Sequence, residues 1–589
     1  MRNNFNTPPN EGFLRKPFFN SVLLKRLTAS FKFLTAKERT VLSVLAAVFL
    51  VNLAAAAIKI NNIYSLEVPD YGGVLNEAIV GAPRFINPLL AASDADRDMI
   101  KLVYGSLFES DGKGALIPVL AEKYEVSEDG LEYSVYLKHG LKWHDGQEIK
   151  SGDIVFTVKR AKDSSLNSFQ RANWVGVEAE EIDDYAAIFT LTKPYAAFLE
   201  NLTLPILPRH IWENTTPEEM VLSNFNIEPV GSGPYKIKKI TRNSAGIITA
   251  YKLKANKYFV LGEPYIQTIN ALFFPSEDKI LEAARQGRVD GTGYLSPSNI
   301  DNLGLFNNSF KIEKMFLPRV FGVFFNSANN AVFENKEARK ALSVAIDRKF
   351  IVENVLMGYG APAFSPLPSI NKKITYAETE KEDRAEEAKN ILEKNGWKIN
   401  NETGIYEKEI NKKKIKLSFT VSTSNSSDLV KTAEILKNMW EKVGAAVDIK
   451  IFEIGDLNQT VIRKRNYEAL LFGEVLGRNP DPFAFWHSSQ RTDPGLNIAM
   501  YANGSVDKIL EDARREINVE KRAKKYNDFE KRIIEDQAAI FLYSPFFVYA
   551  APNFLKGFET DAVSAPQERF SLINKWFIYK SKVWPIFLK

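Results

Sequence analysis

The chain holds four histidines, His139, His144, His210 and His487, and no cysteine. That inventory leaves no thiolate nucleophile, no disulfide framework, no thiolate metal site and no cysteine for lipid attachment. His139 and His144 fall in a stretch that reads as a hairpin, where their spacing is poor for a metal. KWHDG (142–146) reads as a turn. Ser232 in GSGPY (231–235) lacks the spacing of a nucleophile elbow. The motif reads as a turn entering a strand, with Gly231 and Gly233 taking conformations other residues resist. The acid pairs Glu180-Glu181 and Asp183-Asp184 look like solvated turn residues. A glycosidase would need two carboxylates brought together from distant positions. There is no Walker A loop and no GxGxxG. Nothing calls for a cofactor or a metal, and no catalytic signature stands out. A binding protein, not an enzyme, is the expectation, and a surface hydrolase is the least favoured alternative.

The residues best suited to binding lie in GEVLGRNPDPFAFW (473–486), after the strand-like YEALLF. Each proline fixes its own φ and pushes the residue before it toward an extended conformation. Asn479-Pro480 and Asp481-Pro482 therefore predict a stiff, non-helical loop. Such a loop can hold Arg478 toward a ligand. Its neighbours Glu474 and Asp481 also offer that arginine an internal partner.

The surrounding elements read as mixed α and β. SDLVKTAEILKNMWEKVG (427–444) is helical, AVDIKIF (446–452) alternates as a strand, and YEALLF (467–472) follows another helix. That succession predicts a covered α/β sheet. ENKEARKALSVAI (334–346) and SGDIVFTVKRAK (151–162) read as helices, the second starting at a Ser151 N-cap. YKIKKI and IITAYKLKAN flank RNSAG and predict a hairpin. At 589 residues the chain is too long for one core, so two or three lobes are expected.

Charge is uneven. Residues 1–39 hold eight basic and two acidic residues, so the remainder of this net +5 chain is at −1. The basic balance is thus no sign of nucleic-acid binding. Thr40 to Ile58 is an uncharged run, long enough as a helix to span roughly 28 Å. With a positive flank before it, this predicts a single-pass membrane helix, residues 1–39 cytoplasmic and the large remainder outside. A cleaved signal peptide is the alternative, with small residues at 54–57 as cleavage positions. FLRKPFFNSVLLKRLTASFKF (13–33) is either an amphipathic surface helix or a flexible basic tail. Residues 59–71 read as a linker.

From Gly72 onward the motifs resemble, in order, the family 5 extracellular solute-binding proteins of ABC transporters, the oligopeptide-, dipeptide- and nickel-binding type. The residues that carry the resemblance include GGVLNEAIVGAPRFINPLLAASDADRDMIKLVYGSLFES, PVGSGPYKIKK, VFFNSANNAVFENKEARKALSVAIDRKFIVENVLMGYGAPAFSPLP and NPDPFAFWHSSQ. It implies an α/β, two-lobed periplasmic-binding-protein type II fold with an additional domain. Lobe I would be 72–108, 206–326 and 543–589, the additional domain 109–205, and lobe II 327–542. The chain would cross between lobes near Asn326 and Tyr543. The resemblance implies a monomer that closes on a peptide or other small solute and delivers it to an ABC permease and its ATPase. It carries Ser93 and Asp94, Phe325 and Asn326, Glu474, Arg478 and Asn479, and Asn497 onto the ligand site. One departure stands out. The family's peptide binders hold the α-ammonium with an Asp whose position falls on Arg478, and a family Trp falls on Val475. An arginine favours a carboxylate, a phosphate or a sugar hydroxyl. An oligosaccharide or anionic compound is therefore the alternative ligand to a peptide.

Overall fold

The computed structural model describes residues 34–304, 309–367, 383–410 and 412–587. The segment 13–33, expected as amphipathic helix or tail, lies outside them. The chain divides into two units, Met1–Val68 with Lys580–Lys589, and Pro69–Tyr579.

In the first unit, helix α1 (Ala36–Tyr64) contains the whole uncharged run. Its start is set by the Glu38 carboxylate, which accepts from Thr35 N at 2.8 Å. No side chain of its apolar window is buried, and it is long and apolar enough to cross a membrane. The stretch 59–71, expected as a linker, is regular instead. The helix runs on to Tyr64, and the strand Leu66–Asp70 pairs with Tyr579–Val583. Lys580 and Glu67 join that pair at 2.8 Å, and Trp584 Nε1 donates to Asn61 Oδ1 at 2.7 Å.

The second unit is organised by a twelve-stranded mixed sheet. Its strands are β1 (Val74–Val80), β2 (Tyr235–Arg242), β3 (Ile248–Ala255), β4 (Thr268–Phe274), β5 (Gly291–Thr292) and β6 (Phe310–Phe316). They continue as β7 (Arg319–Phe325), β8 (Gly360–Pro362), β9 (Ser418–Ser424), β10 (Ala446–Phe452), β11 (Ala469–Val475) and β12 (Ala539–Pro552). The order is β10-β9-β11-β7-β12-β5-β1-β4-β3-β2, with β6 and β8 also on β12. β2 and β3 form the expected hairpin. β9 runs parallel to β10 and β11, as strands joined through helices must.

Two buried regions flank the middle of this path. A first core gathers Leu75, Ile79, Met99, Tyr251 and Trp576, together with the four-stranded sheet of residues 121–191. That small sheet lies inside 109–205, the expected additional domain, and shares the first core. Two further cores pack on opposite faces of β7, with Val323 and Phe325 in one and Val320 and Phe324 in the other. We call the body around the first core lobe I and the body around the other two lobe II.

The long strand β12 runs through both lobes. Its first residues pair with β7 and β8, and Phe546 to Pro552 pair with β6. Between β6 and β7 the ladder breaks at Leu317-Pro318, where proline supplies no N–H. The chain therefore changes lobe before β7. β7 is buried in lobe II, and β12 leaves its pairing with β8 at Pro545 and takes up that with β6 from Phe546.

α2 (Asp94–Val103) begins at Ser93 and lines the site with Arg97, Ile100 and Lys101, and α3 (Ser151–Lys162) carries a buried face into lobe I. The N-cap of α3 is Lys150, not the expected Ser151. Asp153 accepts from Lys150 N at 2.9 Å, while Ser151 Oγ turns away to Asp183 O. The KWHDG and GSGPY turns, read separately in the sequence, dock on each other. His144 N donates to Gly231 O at 2.7 Å, and His144 Nε2 lies 3.1 Å from Gly233 O.

Candidate ligand-binding site

β11 ends at Val475, and Leu476 N is tied to Pro318 O at 2.9 Å, which fixes the loop beside the first crossing. Gly477 takes φ 74°, and Asn479 to Pro482 lead into the short helix Phe483–Trp486. Fully buried Trp486 anchors the far end. The prolines thus do what the sequence predicts: they carry the chain across the loop with no helix before Phe483.

Arg478 points out of this loop at two carboxylates of lobe I. Nη1 donates to Glu200 Oε2 at 2.9 Å and Nη2 to Glu568 Oε2 at 2.6 Å, and its side chain is 6% exposed. Burial works against its charge, and Glu568 and Glu200 more than restore it. Burial also pushes the Glu200 carboxyl up, against the pull of Arg478. The triad is a charge-assisted bridge between the lobes. Neither internal partner expected from the sequence pairs with Arg478. Asp481 is held by Arg514, whose Nε and Nη2 donate to Oδ2 at 2.8 and 2.6 Å. Glu474 lies opposite Val320 in the β7–β11 register, on the face turned to Trp486. Its Oε2 accepts from Trp486 Nε1 at 3.3 Å and its Oε1 has no partner among the described residues. Burial pushes that carboxyl well above its ordinary range, against the hydrogen bond from Trp486. Asn479 is half-buried in the turn.

The remaining candidates divide. Ser93 caps α2, its Oγ accepting from Asp96 N at 3.1 Å. Asp94 is exposed and paired with Arg97 at 2.9 Å. Phe325 is buried in lobe II and stacked on Phe333 at 4.5 Å. Asn326 and Asn497 are buried, and their amides serve the backbone. Asn326 Nδ2 donates to Arg465 O at 2.9 Å and Oδ1 accepts from Ala328 N at 3.2 Å. Asn497 Nδ2 donates to His487 O and Tyr501 O, and Oδ1 accepts from Tyr501 N. These three do not present free polar atoms to a ligand. Of the candidates, Arg478 is the one whose side chain reaches from one lobe to the other.

A cavity of about 550 Å³ is lined from both lobes, by Tyr195, Phe198 and Asn201 of lobe I and by Phe483, Glu511 and Arg514 of lobe II. A second, of about 250 Å³, lies on lobe I and is lined by Lys101, Glu109, Gln567 and the two partners of Arg478, Glu200 and Glu568. A third, about 310 Å³, lies on lobe II and is lined by Arg319, Phe321, Asp428, Leu429, Tyr543 and the sequence candidate Glu474 among others. The sequence reading missed Arg319 and Asp428. Arg319 could have been noticed as the lone charge opening the apolar run RVFGVFF, and Asp428 was read only as a capping residue. Glu200 and Glu568 carry no local signal, since Arg478 lies 278 and 90 residues from them.

A buried network beneath the site was also missed. Arg569 is fully buried, and its Nη2 meets Asp98 Oδ2 at 2.6 Å and Glu77 Oε1 at 3.1 Å. Tyr549 Oη donates to Glu77 and Tyr294 Oη to Asp98. The network ties down the turn Pro566–Phe570, and that turn presents Glu568 to Arg478. Among the described residues, no three His, Cys, Asp or Glu side chains gather as metal ligands would.

This geometry joins a clear line of kinship. The sequence profile of the bacterial extracellular solute-binding proteins, family 5 (middle region), matches residues 115–496. The chain belongs to that family. It is 29% identical to the oligopeptide-binding protein AppA of Bacillus subtilis over 527 residues, covering 87% of this chain and 93% of AppA. The solved AppA structure, in complex with a nonapeptide, superposes with a TM-score of 0.64 at 28% identity, covering 87% of this chain and all of that one. The substrate-binding protein CtaP of Listeria monocytogenes gives a TM-score of 0.72 at 26% identity, over 86% of this chain and all of CtaP. NikZ of Campylobacter jejuni, in complex with Ni(L-His), gives 0.65 at 26% identity, over 86% of this chain and 99% of NikZ. The α/β fold of the family 5 solute-binding proteins is therefore that of this chain, preceded by one apolar helix.

Proposed function

We propose that this protein is the extracytoplasmic substrate-binding component of an ABC importer, and that it captures a peptide or peptide-like solute between its lobes. The observation that carries this is its kinship over 87% of its length with a protein solved around a nonapeptide. A cavity of about 550 Å³ lined from both lobes gives such a ligand somewhere to lie. A closed, loaded form would then be offered to a permease driven by its ATPase. The protein acts by binding and release, without chemistry on the ligand, and works as a monomer. Helix α1 holds it to the membrane as a single-pass anchor, with the folded part outside.

Arg478 loses its weight as a sign of an anionic ligand. Its charge is matched and exceeded by Glu200 and Glu568. The three together are net negative, the sign an ammonium requires. Isothermal titration of the purified protein with a peptide library tests the reading. Micromolar or tighter binding of at least some peptides is expected. Binding confined to sugars or inorganic anions overturns it. Mass spectrometry of molecules co-purified with the protein gives a second, independent reading of the ligand class.

A further inference from the structure

The C-terminal end of α1 does not finish in polar residues. Past Ile58, where the uncharged run stops, the helix goes on through KINNIY (59–64). At helical rise those six residues climb about 9 Å, enough to cross the headgroup layer of a bilayer whose core the run spans. Ile60, Ile63 and Tyr64 are exposed there, and so is Leu66 just beyond.

The other end of the chain comes back to this turn. The strand Tyr579–Val583 pairs with Leu66–Asp70, and Lys580 reaches Glu67 at 2.8 Å. Past the strand, Trp584 is fixed to the helix itself. Its Nε1 donates to Asn61 Oδ1 at 2.7 Å, and its ring lies near-parallel to that of Tyr64, with centroids 6.3 Å apart. Pro585–Phe587 then makes one short turn. That turn leaves Ile586 82% exposed. Neither Trp584 nor Ile586 belongs to a buried core among the described residues. Residues from both ends of the chain therefore build one exposed apolar patch, which water disfavours.

The same unit shows what covers it. The patch continues directly from a helix whose apolar window is bare along its length. Asn61 lies three residues past Ile58, about 4.5 Å above the end of the uncharged run, so the indole bonded to it sits at headgroup height. Trp and Tyr, each with an apolar ring and one polar hydrogen, are the side chains enriched at that boundary.

We propose that Trp584 and Ile586 are a second membrane contact, resting in the outer headgroup layer of a lipid bilayer beside α1. Asn61 and Tyr64 hold Trp584 in place, and Ile586 dips toward the acyl chains. One short turn positions and does not anchor; α1 does the anchoring. The inference rests on α1 spanning the bilayer, as proposed above. It adds that both ends of the folded unit's chain are tied to the lipid surface.

The chain has no cysteine, so single cysteines can be placed at will. Ile586→Cys, Leu50→Cys within the uncharged run and Leu222→Cys on the folded unit each take a nitrobenzoxadiazole label. Leu222 is 84% exposed and serves as the reference for a label in water. Each full-length protein is reconstituted in phosphatidylcholine vesicles containing lipids with a nitroxide at the shallow or the deep end of the acyl chain. The label at 50 should be quenched best by the deep nitroxide. The label at 586 should be quenched best by the shallow one, at least ~3-fold more than the label at 222. Adding Trp584→Ala to Ile586→Cys should lower that quenching at least ~2-fold, since the turn then loses its hold on α1. Quenching at 586 no greater than at 222, with 50 quenched, overturns the proposal and leaves the anchor intact. Quenching at 586 that Trp584→Ala does not change overturns it as well, because the label alone has then drawn the turn into lipid. A label at 50 that neither nitroxide quenches overturns both readings.

Discussion

Arg478 shows what a residue's type can and cannot reveal. The sequence singles out the loop, its stiffness and its one arginine. It does not reveal that lobe I supplies two carboxylates, because nothing local marks Glu200 or Glu568. Arg478→Ala would leave those two acids facing each other, partly buried, with no cation between. Because Glu200 and Glu568 keep some contact with water, we expect a loss of about 2–4 kcal/mol, read from urea unfolding. Adding Glu200→Gln should return part of it. Arg478→Asp, attractive on the sequence alone as a way to restore an ammonium site, would bring three carboxylates together. It should destabilise more than Arg478→Ala.

A second residue sets a pH response. Burial, helped by the neighbouring Lys236 and opposed by the hydrogen bond to Gly233 O, holds His144 down to about 4, from an ordinary 6.5. Between those values the unfolded chain binds a proton that the folded one refuses. The stability that His144 contributes is thus complete above pH 6.5 and is lost as pH falls toward 4. At pH 5 the loss should be about 2 kcal/mol relative to pH 7. Urea unfolding at both values, for wild type and His144→Gln, checks this. The variant should lose about 2 kcal/mol less than the wild type over the same interval, and equal losses would exclude His144 as the source.

At the scale of elements, periodicity was readable and junctions were not. The alternation in 446–452 and the amphipathic stripe in 427–442 became a strand and a helix because each buries one face. RVFGVFFN reads as a strand wherever it packs, so its own residues do not say which core covers it. The break is set by Pro318 and by which core covers β7. GSGPY leads into a strand as read, but Gly231 and Gly233 do not take the conformations other residues resist, and the need for glycine there is tertiary. A Cβ on Gly231 would sit 2.0 Å from Val103 O, at the end of α2, and one on Gly233 would sit 2.6 Å from Val103 C. Backbone meets backbone there, so no side chain can move aside. Gly231→Ala should cost more than about 4 kcal/mol or abolish folding. Gly246, in the β2–β3 hairpin, has φ 80° and open space around its Cβ position. Gly246→Ala should cost only about 1–2 kcal/mol, the strain of a left-handed alanine. Melting temperatures of the two variants compare the effects directly.

At the scale of the molecule, charge and hydropathy had already divided the chain. The +6 of residues 1–39 and the uncharged run after it set the helix apart from a nearly neutral remainder. The structure divides it in the same place, into a unit with α1 and a unit from Pro69 to Tyr579 that holds every core. α1 buries none of its apolar window, so it adds nothing to those cores, and its exposed valines and leucines would be a liability in water. A membrane is the surroundings that such a helix suits. Deleting residues 1–64 should therefore convert the protein from membrane-bound to soluble while leaving the melting temperature and any peptide affinity of the folded part unchanged. The cut stops before Leu66–Asp70, so the pairing with Tyr579–Val583 is kept. Fractionation of cells expressing each form, followed by thermal unfolding and titration, measures all three quantities. If the truncated form stays soluble but loses several degrees or its ligand affinity, α1 is part of the folded body and not only its anchor.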